Sequence, residues 1–204
     1  MVEIKNLNIE FDGRKIFENF SLKITKGEKI IITGKSGRGK STLLKFIMGY
    51  TAHKSGFLYF DDIKIDKNTI MQFRYKTAYI SQGVDFRNEK ISVLVEEIAS
   101  FKSNKSCNFS KNQINMYLKE FDLNEDIMEK NISEISGGEK QRIGIIAALL
   151  LEREIYILDE ITASLDIEMK EKVSKYFANM NATVIVVSHD ECWKENKKFR
   201  VIEL

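Results

Sequence analysis

Apolar residues follow two spacings along this chain. "VEIKNLNIEF", "RKIF" and "FSLKIT" are strand-like segments at the N-terminal end. "EKIIIT", "EIYILDE" and "TVIVVSH" are unbroken apolar runs, as expected for strands buried on both faces of a parallel sheet. "TAYIS" and "FRVIEL" read as further strands, and "SGFLYFDDIKI" as a hairpin turning at Asp61-Asp62, whose aspartates suit a polar turn better than a metal site. Helical spacing marks "TLLKFIMGY", the stretch 137–152 with apolar residues along one helical face, and "IEMKEKVSKYFANM". From Val84 to Ile135 the strand signals vanish, and "ISVLVEEIASF" and "KNQINMYLKEF" take helical spacing. Strands alternating with helices predict an α/β fold, with a helical segment inserted between sheet strands.

Composition narrows the class. The chain has 204 residues, 43% apolar and 30% charged, with a formal net charge of +2, which fits one globular domain. Lysines are interspersed with acids, so no basic stripe points to nucleic acid, and "KENKK" near the C-terminus reads as solvated surface. Cys107 and Cys192 have no metal-ligand spacing and suit a reducing compartment as plain thiols. The N-terminus carries acids and no signal-peptide core. The longest apolar run, "IIAALLL", is far short of the roughly 20 residues of a membrane span, so work at a membrane would need another chain to cross it. There is no proline, an absence with no functional reading.

The strongest chemistry lies in Gly34-Lys35-Ser36-Gly37-Arg38-Gly39-Lys40-Ser41, which fits GxxxxGK[ST] between a predicted strand and a predicted helix. Glycines let the backbone wrap phosphates, and the helix start adds its positive dipole end. Lys40 would reach the β- and γ-phosphates, and the Ser41 hydroxyl would ligate Mg2+. "IYILDE" then delivers Asp159 and Glu160 at the C-terminal end of a buried strand, where open α/β sheets bind ligands. Asp159 suits Mg2+, and Glu160 suits a general base that polarises water. His189 ends another buried strand, whereas His53 lies in a polar loop and reads as surface. Gln82 follows "TAYIS", from which an amide could reach the metal or the water. A second anion-binding shape is Ser136-Gly137-Gly138, ahead of a helical pattern, and a plain helix cap explains it equally well in isolation.

Together these residues resemble the ATP-binding cassette family, the ATPase subunits of ABC transporters, over essentially the whole chain. "GKSGRGKST", through Thr42, is similar to the Walker A motif and "IYILDE" to Walker B; "ISGGEKQR" resembles the family signature. Gln82 matches the Q-loop, "ASLD" with Asp166 the D-loop, and His189 the switch histidine. Phe11 stands where the family places an aromatic that stacks on adenine. Departures are Ile135 and Glu139 in the signature, Ile161 where proline is common, and the order Ala163-Ser164.

The resemblance implies a P-loop NTPase core of mostly parallel sheet (1–83 and 136–204), which includes an N-terminal antiparallel β subdomain, and an inserted helical signature subdomain at 84–135. The chain ends directly after the last predicted strand, so no C-terminal regulatory domain is expected. ATP and Mg2+ are the implied ligands. The implied partners are a second cassette, in a homodimer or a heterodimer, whose signature loop caps this chain's ATP, and a transmembrane permease subunit that holds the chain at the cytoplasmic face of the cell membrane; the intact motifs permit a homodimer. No nucleic acid is expected. A soluble cassette ATPase acting as an assembly scaffold is the alternative.

Overall fold

The computed structural model describes residues 1–83 and 86–204; Val84 and Asp85, where the helical segment was expected to begin, lie outside the described residues. An antiparallel sheet is built first. Strand β1 (Val2–Phe11) turns at Asp12-Gly13 into β2 (Arg14–Ile24), a single strand covering both "RKIF" and "FSLKIT". Strands β4 (Ser55–Phe60) and β5 (Ile63–Lys64) complete it in the order β2-β1-β4-β5. Asp61 and Asp62 have φ of 46° and 64°. These aspartates make the tight two-residue turn that matches the twist of a hairpin, as expected from their position.

The second sheet is parallel throughout. Its strands are β3 (Lys29–Thr33), β6 (Thr77–Ile80), β7 (Ile155–Asp159), β8 (Thr183–Val187) and β9 (Phe199–Glu203), in the order β6-β7-β8-β3-β9. Side chains alternate across it as the period of two requires. Ile31, Tyr156, Leu158, Val184 and Val186 join one apolar core; Ile30, Ile32, Ile155, Ile157, Ile185 and Val187 join the other. The second core also takes in the antiparallel sheet and helix α1 (Lys40–Ile47). Because both faces are covered, the strands lose the polar alternation of a half-exposed sheet and read as continuous apolar runs. Each fully buried aliphatic side chain contributes about 1.5–3 kcal/mol.

The first core holds four longer helices. These are α3 (Ile91–Ser100), α4 (Lys111–Glu120), α5 (Gly137–Leu150) and α6 (Ile167–Asn179), with short 3-10 turns at 102–104, 125–129 and 132–134. Two short helices, α2 (Ile70–Tyr75) and α7 (Glu191–Lys194), have no counterpart in the sequence reading. The helical segment leaves and returns at one place. Ile91 N–H donates to the Lys130 carbonyl, and Ile132 N–H to that of Glu89, each at 3.1 Å.

One expectation is corrected. The 137–152 stretch was expected to show one apolar face, but every residue of α5 from Ile143 to Leu150 is buried, as is Gln141. The helix lies against both β6 and α4, so no side is left for solvent. A helix apolar all round belongs inside a core, not at its edge.

Candidate functional site

Parallel pairing places three strand ends at one level. Asp159 on β7 is in register with Val187 on β8, and Val187 with Ile32 on β3. The residues that follow are therefore neighbours along one edge: the 34–41 loop after β3, Glu160 after β7, and Ser188 and His189 after β8.

In the 34–41 loop, residues 35–38 are exposed while Lys40 is buried. Its ammonium is held by two carbonyls, Gly34 O at 2.8 Å and Lys35 O at 3.2 Å. A buried cation needs such acceptors, and phosphate oxygens are stronger ones. Gly39 opens α1 at φ 96°, and a Cβ there would lie 2.5 Å from Ile16 and 3.1 Å from Phe17. Glycine is required on both counts. Arg14, across the hairpin from Phe11, donates to the Gly37 carbonyl at 3.4 Å. That contact sets the β1–β2 turn beside the loop, with the Phe11 ring 45% exposed.

Asp159 is 8% exposed, and burial pushes its pKa up against hydrogen bonds from Tyr79 and Ser41 that favour the charged form. The Tyr79 hydroxyl donates to Asp159 Oδ2 at 3.3 Å, and burial followed by the Asp159 charge pushes the phenol up to about 12. Glu160 is likewise raised, by burial first and by Asp159 further, with His189 and Lys40 opposing. Its backbone sits at φ 51°, in the left-handed region, and its N–H donates to the Val187 carbonyl at 2.9 Å. His189 closes over it: the backbone N–H donates to Glu160 Oε2 at 3.4 Å, and Nε2 lies 3.5 Å from Oε1. A carboxylate of raised pKa beside an imidazole can take a proton from water.

The donor set fits Mg2+. The Ser41 hydroxyl and the Asp159 carboxylate are paired oxygen donors, and the described residues hold no cluster of three or more His, Cys, Asp or Glu that could bind a metal alone. Mg2+ is bound by one or two protein oxygens together with substrate phosphates and water. Gln82 lies in the exposed turn after β6, and no hydrogen bond joins it to Asp159 or Glu160 among the described residues.

Ser136–Gly138 form the start of α5. Ser136 caps α5: its hydroxyl accepts from Glu139 N–H at 3.2 Å, and the Glu139 carboxylate accepts from Ser136 N–H at 2.8 Å. That reciprocal pair is a capping box. Ser136 and Gly137 remain exposed, and the N–H groups of the first helical residues, Gly137 and Gly138, have no intrahelical acceptor. A Cβ at Gly138 would meet the Ser164 carbonyl at 3.3 Å, so this helix start abuts the "ASLD" loop. Asp166 in that loop caps α6 by accepting from Met169 N–H at 2.9 Å.

Sequence reasoning missed Tyr79 and Arg14. Tyr79 shares with Asp159 the sheet face that meets the second core, which only the β6–β7 register reveals. Arg14 follows a turn-forming Asp-Gly pair, but nothing local ties it to a loop more than twenty residues on.

Comparison with known proteins agrees with this layout. The family model described as ABC transporter matches residues 17–163. The energy-coupling factor transporter ATP-binding protein EcfA1 of Mycoplasmopsis synoviae is 32% identical over 201 residues, covering 93% of this chain and 74% of that protein. The spermidine/putrescine import ATP-binding protein PotA of Borrelia garinii is 30% identical, and this chain spans only about half of it, 56%. Among solved structures, the post-hydrolysis dimer of the ATP-binding cassette MJ0796 bound to ADP and Pi superposes with a TM-score of 0.82 at 26% identity, covering 100% of this chain and 94% of that one. A family match over most of the chain, with a relative 32% identical over 93% of it, makes this protein a member of the ABC transporter family, in which its part is that of an ATP-binding cassette.

Proposed function

We propose that this chain binds and hydrolyses ATP with Mg2+ as the motor subunit of an ABC transporter. It pairs with a second cassette and energises a separate membrane-spanning subunit from the cytoplasmic face. The observation that carries this reading is the single edge at which the 34–41 loop, Asp159–Glu160 and His189 meet. The relatives' names favour transport over an assembly scaffold. Among the described residues no helix is long and apolar enough to cross a membrane, which agrees with a separate membrane subunit.

The backbone of Gly34–Gly39 wraps the phosphates, and Lys40 transfers its ammonium from the Gly34 and Lys35 carbonyls to the β- and γ-phosphate oxygens. Thr42 follows in the first turn of α1, and Phe11 lies against the adenine. Ser41 and Asp159, with Gln82, would hold Mg2+, which would supply charge neutralisation at the phosphates. Glu160 takes the proton of the attacking water as its oxygen bonds to the γ-phosphorus and the β–γ bridging P–O bond breaks. His189 holds Glu160 and the water in line. Ser136–Gly138 present a capped helix start to the partner cassette's ATP, with Asp166 at the same face.

Glu160→Gln keeps the shape and removes the base. General-base catalysis supplies about 10²–10⁴-fold. Turnover of this variant is expected to fall at least about a hundredfold with ATP affinity retained. Hydrolysis at the wild-type rate would remove Glu160 from this role.

A further inference from the structure

The loops that carry Glu160 and His189 are tied together just beyond those side chains. The Thr162 hydroxyl donates to Asp190 Oδ2 at 2.7 Å, and Lys170 Nζ donates to Asp190 Oδ1 at 2.7 Å. Trp193 Nε1–H donates to Thr162 Oγ1 at 3.1 Å, and Asp190 N–H to Ser188 Oγ at 3.1 Å. Thr162, Ser188 and Trp193 are fully buried. Burial alone would raise the Asp190 pKa, but the Lys170 and Thr162 hydrogen bonds outweigh it and hold the carboxyl below its ordinary value. The group is therefore a charged acceptor, and each of its two oxygens has a donor.

This clasp has something to restrain. Glu160 occupies the left-handed region at φ 51° without being glycine. Such a residue persists only where its surroundings over-determine it. Thr162 lies two residues after Glu160, and Asp190 one after His189, so one part-buried hydrogen bond closes a short ring containing both side chains. Lys170 extends the tie to α6, which Asp166 caps. A purely space-filling role would need neither the hydroxyl nor the carboxylate.

We infer that Thr162 and Asp190 are positioning residues that hold His189 against Glu160, and that Lys170 links their contact to the helix beginning at the "ASLD" loop. The inference rests on the roles given above to Glu160 and His189. Hydrolysis depends on sub-ångström placement, and a misplacement of about 1 Å can cost 10²-fold.

The test is single-turnover ATP hydrolysis, which keeps slow variants readable, alongside ATP affinity. Thr162→Val preserves volume and removes the hydroxyl; it is expected to slow hydrolysis about ten- to a hundredfold with ATP affinity unchanged. Thr162→Ser, which restores the donor, should return the rate to near wild type. In a His189→Ala background, Thr162→Val should cost nothing further, because groups acting through one another are not additive. Should Thr162→Val not fold, Lys170→Met carries the same cycle from a position whose side chain is 23% exposed. Wild-type hydrolysis in both Thr162→Val and Lys170→Met would overturn the inference. So would an equal slowing with and without His189, which marks a structural effect. If Glu160→Gln leaves hydrolysis untouched, the site assignment falls first and the inference with it; a slowed Glu160→Gln beside a fully active Thr162→Val sinks the inference alone.

Discussion

Gly39 shows how little latitude the phosphate loop allows a single residue. Its φ of 96° and the 2.5 Å approach of Ile16 exclude a side chain. Gly39→Ala should both lower thermal stability and weaken ATP binding, read by calorimetric melting and titration; a variant with wild-type affinity would show that the loop can shift. Glu160 gives the opposite case, a residue whose charge opposes folding. Burial raises its pKa above the ordinary carboxylate value. The folded state therefore keeps the proton longer, and stability falls as pH rises from the unfolded pKa through the raised folded one. Glu160→Gln removes that penalty, so its melting temperature should exceed wild type near pH 7 and converge with it below about pH 4. Equal melting temperatures at both pH values would show that the carboxylate is not penalised. At this scale the sequence exposed Lys40, Asp159, Glu160 and His189, because each belongs to a local motif. Tyr79, Thr162 and Asp190 were hidden, because their meaning comes from partners between 28 and 80 residues away.

The signature helix α5 carries the lesson at the scale of elements. Its position was legible, and the helix cap that the sequence offered at Ser136 beside an anion-binding shape is a capping box with Glu139 in the structure. Its burial was not, because "RIGIIAALLL" is compatible with one apolar face or with all of them, and only the packing of α4 and β6 decides. Ile145 is fully buried in this helix. Ile145→Ala should cost about 2–5 kcal/mol in urea unfolding, the range for deleting a packed core side chain. A loss below about 0.5 kcal/mol, the size of a surface change, would contradict the all-round burial. The parallel strands were legible for the same reason that α5 was ambiguous: burial on both faces leaves an unbroken apolar run, and a five-residue run is too short for a helix. Helices α2 and α7, of six and four residues, are shorter than a periodic pattern needs to declare itself.

At the scale of the molecule the proposed reading assigns two phosphate-binding features to the chain. Residues 34–41 gather with Asp159, Glu160 and His189, whereas Ser136 and Gly137 stand exposed and Gly138 abuts the "ASLD" loop. A monomer uses only the first. Two copies facing head to tail would use both, each closing the other's site, and one chain holds all the parts of such a pair. Because Ser136 is also a helix cap, replacing it by a bulky residue would mix two effects. Ser136→Asp separates them: aspartate caps as well as serine does, but it sets a negative charge where the partner's phosphates would lie. The decisive measurement is the solution mass, by light scattering, of Glu160→Gln with and without ATP and Mg2+, alone and combined with Ser136→Asp. The account predicts that ATP shifts Glu160→Gln from one copy to two, and that adding Ser136→Asp leaves ATP bound to a stably folded single copy. An ATP-saturated Glu160→Gln that stays single, or a Ser136→Asp combination that still pairs, would contradict it.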